Sequence, residues 1–474
     1  MKASPILQSG KSPGLDTIIN EMIQFYSILN KRLLQYCIDN NILKPNQLGF
    51  LPGNRTSDAH IILHNLINKY CHKNNKKIFG CFVDFSKAFD KIPRHILFKK
   101  LLDHGVTGKF YDIIVNMYTN DKSCVKINGK LSPVFNSLTG VKQGCIMSPL
   151  LFNIFMSDLP SALCQDDNVL LDNATKINCI LWADDILILS ETDEGLQKSL
   201  QNLHEYCISN KLNVNMDKTQ CMTFNKSGRL IRRHFVLGNE NLECVRSYKY
   251  LGLIITPSGE IKTALDDLRS RALKAYMALK TKLGNSFKKH IDETSKLFDT
   301  LVKPILLYSS DFWGCLKVPM NNPVENPHSM FCKQLLGVHK TTTNIGVLLE
   351  LGRTPLMHFA QKSAIKNWSR IHNSKTNSMI RASYKGAVTN DLNWYQKITS
   401  SINEMGLGNV LYPSISLGND FHRVYLSRCQ DIFRQNSFAT IANPESKLRT
   451  YNLIKEGWEP ETYLKVAYLI INFE

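Results

Sequence analysis

The thirteen cysteines of this sequence are scattered singly, and no two of them form a Cys-x-x-Cys pair. That excludes a zinc ribbon and a disulfide-built scaffold, and it fits a reducing compartment. No uninterrupted apolar run is long enough to cross a bilayer. The opening stretch MKASPILQSGKSPGLD has no long apolar core, so no secretory signal is expected. Internal repeats and extended low-complexity tracts are missing, which leaves no sign of a solenoid or a tail. Acidic residues are scarce: 40 Asp and Glu stand against 58 Lys and Arg, for a net charge of +18 and a pI near 9.2. So basic a chain suggests a polyanionic partner, nucleic acid before membrane; a merely soluble basic protein is the alternative. What is present is ordinary: 43% hydrophobic residues in a chain of 474, enough for roughly two to four domains and a large core.

One stretch breaks the ordinary pattern. In INCILWADDILILS, two short apolar runs, Ile180–Trp182 and Ile186–Leu189, flank Ala183-Asp184-Asp185. The runs have strand composition and are too brief for separate helices. Asp tolerates turn geometry, so Ala-Asp-Asp reads as a tight turn at a hairpin tip. Two adjacent carboxylates above apolar strands repel each other, and burying them unpaired is costly. A divalent cation removes both problems, and carboxylates suit Mg²⁺ or Mn²⁺. An exposed turn with two solvated aspartates is the alternative.

A second carboxylate, Asp84, lies near the end of the strand-like run Ile78–Phe85, a hundred residues before Asp184. That separation lets a strand from elsewhere in the fold meet the hairpin tip. Three carboxylates from two segments can hold two metals and align an in-line phosphoryl transfer; a solvated strand-end acid is the other reading. A third segment, LTGVKQGCIMSPLLFNIFMSDL (Leu138 to Leu159), opens with a glycine-rich turn, Gly140 to Gly144. It continues as a helix with Met147, Leu150, Leu151, Ile154 and Phe155 on a broad apolar face. Gly144 leaves room for a base pair to approach the backbone, and Gln143 offers a donor and an acceptor beside it; a helix-entry loop is the other reading, with the helix's apolar face in the core either way.

Further helices are expected over Lys31–Asn41 and after Asp58, which is placed to cap a helix with Ala59, Leu63, Leu66 and Tyr70 on one face. Asp90, Pro93 and Arg94 mark a break before another helix. Leu196, Leu200, Leu203 and Cys207 form a helical stripe suited to covering a sheet. In KTALDDLRSRALKAYMALKTKL, Ala264, Leu265, Leu268, Ala272 and Tyr276 face inward. Lys262, Arg269, Arg271, Lys274 and Lys280 then face outward, towards a duplex backbone or simply towards water. Beyond Leu351 further helices are expected, including ones near Asp420–Arg434 and Pro460–Ile471.

Taken together these segments carry a resemblance. FVDFSKAFD, GVKQGCIMSPLLF and WADD, in this order and spacing, resemble motifs A, B and C of reverse transcriptases. LNVNMDKT (Leu212 to Thr219) resembles motif D, YKYLG (Tyr248 to Gly252) the primer grip, and NQLGFLPGNRTSDA the fingers segment before motif A. PILLYSSDFWG (Pro304 to Gly314) resembles the thumb of non-LTR, LINE-type retrotransposon polymerases. The resemblance covers most of the chain to about residue 350.

It implies an α+β right-hand polymerase of fingers, palm and thumb, its antiparallel palm sheet covered by helices on one face, with a helical C-terminal region. The division implied is a truncated linker and fingers remnant over 1–45, fingers and palm over 46–256, a helical thumb over 257–350, and a helical region of unknown role over 351–474. Asp84, Asp184 and Asp185 would hold two catalytic Mg²⁺, with Mn²⁺ a substitute. Lys218 would protonate the leaving pyrophosphate. Phe89 would be the ring that rejects a 2′-hydroxyl, Gln143 and Gly144 would line the nascent base pair, and Tyr250, Leu251 and Gly252 would position the primer. The implied partners are an RNA template, a DNA primer and dNTPs, with no membrane and no small-molecule cofactor, in the nucleus or cytoplasm.

Two departures from the family stand out. No endonuclease is expected ahead of the polymerase. GKSPGLDTIINEMIQ runs directly into FYSILNKRLLQYC, so a segment carrying fingers cations that help hold the triphosphate is expected to be missing. Leu51 stands where many relatives have Arg after Gly-Phe, and Arg55 is the candidate substitute. Two functions follow: an RNA-directed DNA polymerase, or a catalytically inactive remnant that only binds nucleic acid.

Overall fold

The computed structural model describes residues 20–453, except 120, 318–321, 374–376, 412–417, 419, 447 and 449–450, together with Lys455, Gly457 and Glu459. The helix expected at Pro460–Ile471 lies outside the described residues. Two compact units divide the chain. The first takes Met1–Ala59, Asn74–Arg246 and Asn377–Met379; the second takes His60–Lys73, Ser247–Thr376 and Ile380–Glu474. The class is α+β, as expected.

The first unit is built on a six-stranded sheet. Its spatial order is Phe235–Leu237, Glu240–Cys244, Gln220–Phe224, Ile78–Val83, Asp185–Ser190, Cys179–Trp182. The Ile78–Val83 strand sits in the middle and is antiparallel to both neighbours, pairing Phe79 with Ser190 and with Thr223. One pair departs from the purely antiparallel expectation: Gln220 and Cys221 run parallel to Glu243 and Cys244. The chain leaves Phe224 through a loop, lays down the outermost strand Phe235–Leu237 first, and fills the gap on the way back.

One face of this sheet presents Phe79, Cys81, Val83, Leu181, Ile186 and Ile188 to a core that the helices Arg94–Asp103, Ser148–Phe155 and Asp193–Asn210 complete. The expected stripe Leu196, Leu200, Leu203 and Cys207 is in that core. The opposite face, with Gly80, Phe82, Leu187 and Leu189, is buried as well, which explains why these strands read as continuous apolar runs rather than alternating ones. The Asp193–Asn210 helix starts where its sequence asks it to. The Thr192 hydroxyl accepts from the Gly195 N–H at 2.9 Å, and Asp193 and Glu194 meet the positive end of the helix dipole.

Two sequence expectations shift at helix starts. The first helix runs Asn20–Asp39, longer than Lys31–Asn41, with Leu29, Leu33 and Cys37 buried four residues apart. The second runs Thr56–Ile67 and begins two residues before Asp58. Asp58 caps it from inside the first turn, its carboxylate accepting from the Arg55 N–H at 2.8 Å.

The second unit contains a two-stranded hairpin, Tyr248–Tyr250 with Leu253–Ile255, and is otherwise helical. In the helix Lys262–Leu283 the five predicted inward residues are all buried. Tyr276 meets Phe298 and Phe331 edge-on, and the last two stack at 4.0 Å. The helices after Leu351 are built onto the Ser310–Trp313 turn. A Cβ on Gly314 would lie 2.1 Å from the Ala360 carbonyl oxygen, and the Trp394 indole donates to the Phe312 carbonyl at 3.1 Å. No helix among the described residues is long and apolar enough to cross a membrane.

Candidate active site

The hairpin expected around WADD is present, and its turn is tighter than read from sequence. The strands run Cys179–Trp182 and Asp185–Ser190, with Trp182 paired to Asp185, so only Ala183 and Asp184 form the turn. Ala183 takes the left-handed region at φ 56°, a conformation that costs an L-residue with a Cβ roughly 1–2 kcal/mol. A strap from residues 46–49 holds it there. The Leu48 N–H donates to the Leu181 carbonyl at 2.8 Å, and the Leu181 N–H donates to the Asn46 carbonyl at 2.9 Å. The buried Gln47 amide oxygen accepts from both the Ala183 N–H, at 3.1 Å, and the Gly49 N–H, at 2.9 Å. Gly49 has no room for a side chain, because a Cβ would sit 2.5 Å from the Ala183 nitrogen. Asn153, from the helix Ser148–Phe155, donates to the Gly49 carbonyl at 2.8 Å and closes the strap from behind.

Asp84 follows the central strand directly. Its peptide is clamped by the segment before Gln220: the Asn215 N–H donates to the Asp84 carbonyl at 2.8 Å, and the Thr219 hydroxyl accepts from the Asp84 N–H at 3.3 Å. The same clamp brings Lys218 Nζ to 3.6 Å from the Asp84 carboxylate. Burial raises the pKa of Asp184, and the charge of Asp84 raises it further. Burial also pushes Asp185 up to about 6, assisted by Asp184 and Asp84 and opposed by Lys218. The three carboxylates therefore share one field. They do not form a shell: among the described residues no three His, Cys, Asp or Glu side chains are gathered closely enough to hold a metal. The donor set itself, three carboxylates beside an exposed lysine, has the chemistry of a hard-cation site.

Phe89 and the glycine-rich loop meet. The Val141 N–H donates to the Phe89 carbonyl and the Gly140 N–H to the Ile92 carbonyl, both at 2.8 Å. Gln143 Nε2 donates to Asp90 at 2.8 Å. The Phe89 ring stacks on Phe152 at 4.5 Å, nearly parallel, which fixes its plane. Gly144, at φ 83°, has open space where a Cβ would be. Arg55 stands half-buried at the start of its helix. Tyr250, Leu251 and Gly252 belong to the second unit.

Residues 20–255 match the family described as reverse transcriptase (RNA-dependent DNA polymerase). The segment belongs to that family. The chain is 29% identical over 228 residues to the Pol polyprotein of the type-2 retrotransposable element R2DM of Drosophila melanogaster, covering 46% of this chain and 21% of that protein. It is 25% identical over 327 residues to the RNA-directed DNA polymerase from mobile element jockey of Drosophila funebris, covering 65% and 34%. The resemblance to non-LTR retrotransposon polymerases is therefore borne out, and the chain spans only about a fifth to a third of these relatives. Among solved structures, apo telomerase from Candida tropicalis aligns over 86% of this chain and 61% of its own, at 11% identity and a TM-score of 0.39.

Four residues at this candidate site are given no role of their own by the motif reading. Gln47 and Gly49 lie more than 130 residues from the turn they hold, and only a long-range contact reveals their role. Phe50, 55% exposed at φ 58°, sets its ring edge-on to Phe89 at 6.4 Å; a bulky residue held left-handed beside a site is the signal that marks it. Arg94 is buried and donates to the carbonyls of Tyr118, Thr139 and Gly140 and to Asp121, anchoring the loop that carries Gln143. Its sequence position showed only a helix start.

Proposed function

We propose that this domain is an RNA-directed DNA polymerase of non-LTR type, extending a primer with dNTPs along an RNA template. The observation that carries the reading is the shared field of Asp84, Asp184 and Asp185 on two adjoining strand ends, with Lys218 beside them. The residues fit Mg²⁺, with Mn²⁺ as substitute. Bound there, two ions would lower the pKa of the primer hydroxyl and stabilise the charge on the transferring phosphoryl group. Asp84 and Asp184 would hold the ions, with Asp185 as a further oxygen ligand. Lys218, exposed and tethered to Asp84, would donate a proton to the departing pyrophosphate. Gln143 and Gly144 would line the base pair, with Arg55 towards the triphosphate and the Tyr250–Gly252 turn against the primer. The proposed division keeps fingers and palm within 46–256 and the thumb within 257–350. Primer extension by the purified protein over a dNTP titration tests the reading. The second reading, a domain that binds nucleic acid without catalysis, is favoured by the acids not being gathered into a coordination group; retained binding without extension at millimolar dNTP would select it.

Phe89→Ala is expected to keep dNTP extension and to weaken discrimination against ribonucleotides, on the order of 10–100-fold in the ratio of kcat/KM values. The stacked Phe152 prevents the native ring from swinging away, so the selectivity depends on the ring itself. Unchanged discrimination would remove Phe89 from the sugar site.

Salt provides a separate measurement. Lys262, Arg269, Lys274 and Lys280 are exposed on the Lys262–Leu283 helix, while Arg271 turns inward, correcting the sequence expectation for it. If the exposed cations meet phosphates, the log of the binding constant should fall by roughly 0.7–0.9 per log unit of salt for each contact. Binding independent of salt would contradict both readings.

A further inference from the structure

Three successive carbonyls in the turn of the Tyr248–Ile255 hairpin are each occupied by a side chain from a different part of the second unit. His60 Nε2 lies 3.0 Å from the Tyr250 carbonyl oxygen. The Tyr308 hydroxyl donates to the Leu251 carbonyl at 2.9 Å, and Arg271 Nη2 donates to the Gly252 carbonyl at 3.1 Å. An ordinary exposed hairpin turn leaves such carbonyls to water. This one recruits positions 60, 271 and 308.

Each of the three is itself held. His60 Nδ1 is 3.1 Å from the Ser309 hydroxyl. A carbonyl can only accept, so Nε2 carries the proton and Nδ1 accepts from Ser309. Burial lowers the His60 pKa to about 4, so the ring keeps this neutral form at neutral pH. Arg271 makes an ion pair with Asp267 at 2.9 Å, one helical turn away. The Tyr308 ring lies against Gly252, where a Cβ would come within 2.8 Å of it. The backbone needs this support: Leu251 sits at φ 44° and Gly252 at φ 82°, and a left-handed leucine is uncommon.

The orientation has a chemical consequence. A trans peptide sets its N–H opposite its C=O. With the Tyr250 and Leu251 carbonyls turned to His60 and Tyr308, the N–H groups of Leu251 and Gly252 face away from these side chains. Adjacent N–H groups on a turn held this rigidly suit the oxygens of a phosphodiester.

We propose that Tyr308, Arg271 and His60 are positioning residues that hold the Tyr250–Gly252 turn with its N–H edge against a phosphate of the primer strand. This rests on the polymerase reading above. It also assigns a task to Tyr308 in the PILLYSSDFWG segment and to the one arginine of the basic helix that turns inward.

Tyr308→Phe removes one hydroxyl and keeps the ring against Gly252. The full chain is compared with this variant and with Arg271→Lys. The measurements are equilibrium binding of a DNA primer annealed to an RNA template at several salt concentrations, extension with separate primer–template and dNTP titrations, and thermal melting. Both variants are expected to raise the primer–template Kd and KM about tenfold, the scale of one hydrogen bond to a buried group, with the dNTP KM unchanged. The salt slope should stay as in wild type, because neither variant removes a charge and the contact is made by neutral N–H groups. Lowered melting with unchanged Kd would overturn the proposal, since the side chains would then serve only stability. A raised dNTP KM with unchanged primer affinity would overturn it as well. If the wild-type protein binds primer–template but does not extend it, the catalytic reading fails and the Kd, set against melting, still decides the positioning role. If wild type does not bind, both fail together.

Discussion

Asp184→Asn should abolish primer extension, by at least about a thousandfold, and leave primer–template affinity nearly unchanged. The amide keeps the shape of the carboxyl, so the Ala183–Asp184 turn and its strap from Gln47 remain possible. What changes is charge. A hard cation is held by negative oxygens, and an amide binds it more weakly. Stability should move the other way. Asp184 and Asp185 carry raised pKa values, from burial first; the charge of Asp84 raises both further, and that of Asp184 raises Asp185. A carboxyl raised in the folded state costs nothing while it is protonated in both states. The cost appears as pH rises past the ordinary carboxyl value near 4 and is complete above about 6, the folded value for Asp185. In metal-free buffer Asp184→Asn should therefore melt slightly higher than wild type at pH 7.5, and the difference should vanish below pH 4. A variant that extends primers as well as wild type would assign the activity to another site; one that melts markedly lower at pH 7.5 would show that Asp184 is stabilising rather than strained.

Much of this arrangement was legible from residue types in order. Strand-turn-strand composition around Ala183 located the hairpin, because a two-residue turn between aliphatic runs has few alternatives. Asp84 could be placed beside it because an acid at the end of an apolar strand has a predictable position. The apolar faces of the Ser148–Phe155 and Asp193–Asn210 helices followed from their period. Other features depend on contacts between distant residues and leave no local trace. Gln47 has the composition of a polar loop residue, yet it is 2% exposed and holds the turn of another segment. Periodicity put Arg271 on a polar face, and a carbonyl nineteen residues back turned it inward. The parallel pair of Gln220–Phe224 with Glu240–Cys244 depends on which strand the returning chain reaches first, and short strands do not encode that order.

The glycine-rich loop gives the other large effect, through two glycines of nearly equal φ and different surroundings. Gly140 sits at φ 80° and Gly144 at φ 83°. At Gly140 a Cβ would lie 2.5 Å from the Asp90 carbonyl oxygen and 2.8 Å from its carbonyl carbon, and this backbone cannot step aside. At Gly144 nothing lies within 4 Å. Gly140→Ala should therefore cost both left-handed strain, about 1–2 kcal/mol, and overpacking, about 1–3 kcal/mol. The relief available is to part residues 139–143 from 89–92. That breaks the bonds from Gly140 to Ile92, Val141 to Phe89 and Gln143 to Asp90, and so separates Phe89, proposed for the sugar, from Gln143 and Gly144, proposed for the base pair. Gly140→Ala should lower melting by several degrees and raise the dNTP KM at least tenfold, while primer–template affinity changes little. Gly144→Ala should show only the strain in melting, because its Cβ enters open space. If that space receives the nascent base pair, its dNTP KM should nevertheless rise as far as that of Gly140→Ala. Melting curves and dNTP titrations on the two variants, side by side, separate the cases. An unchanged dNTP KM for Gly144→Ala would close the loop as a base-pair site, and an unchanged melting curve for Gly140→Ala would mean that the two segments are not docked through this glycine.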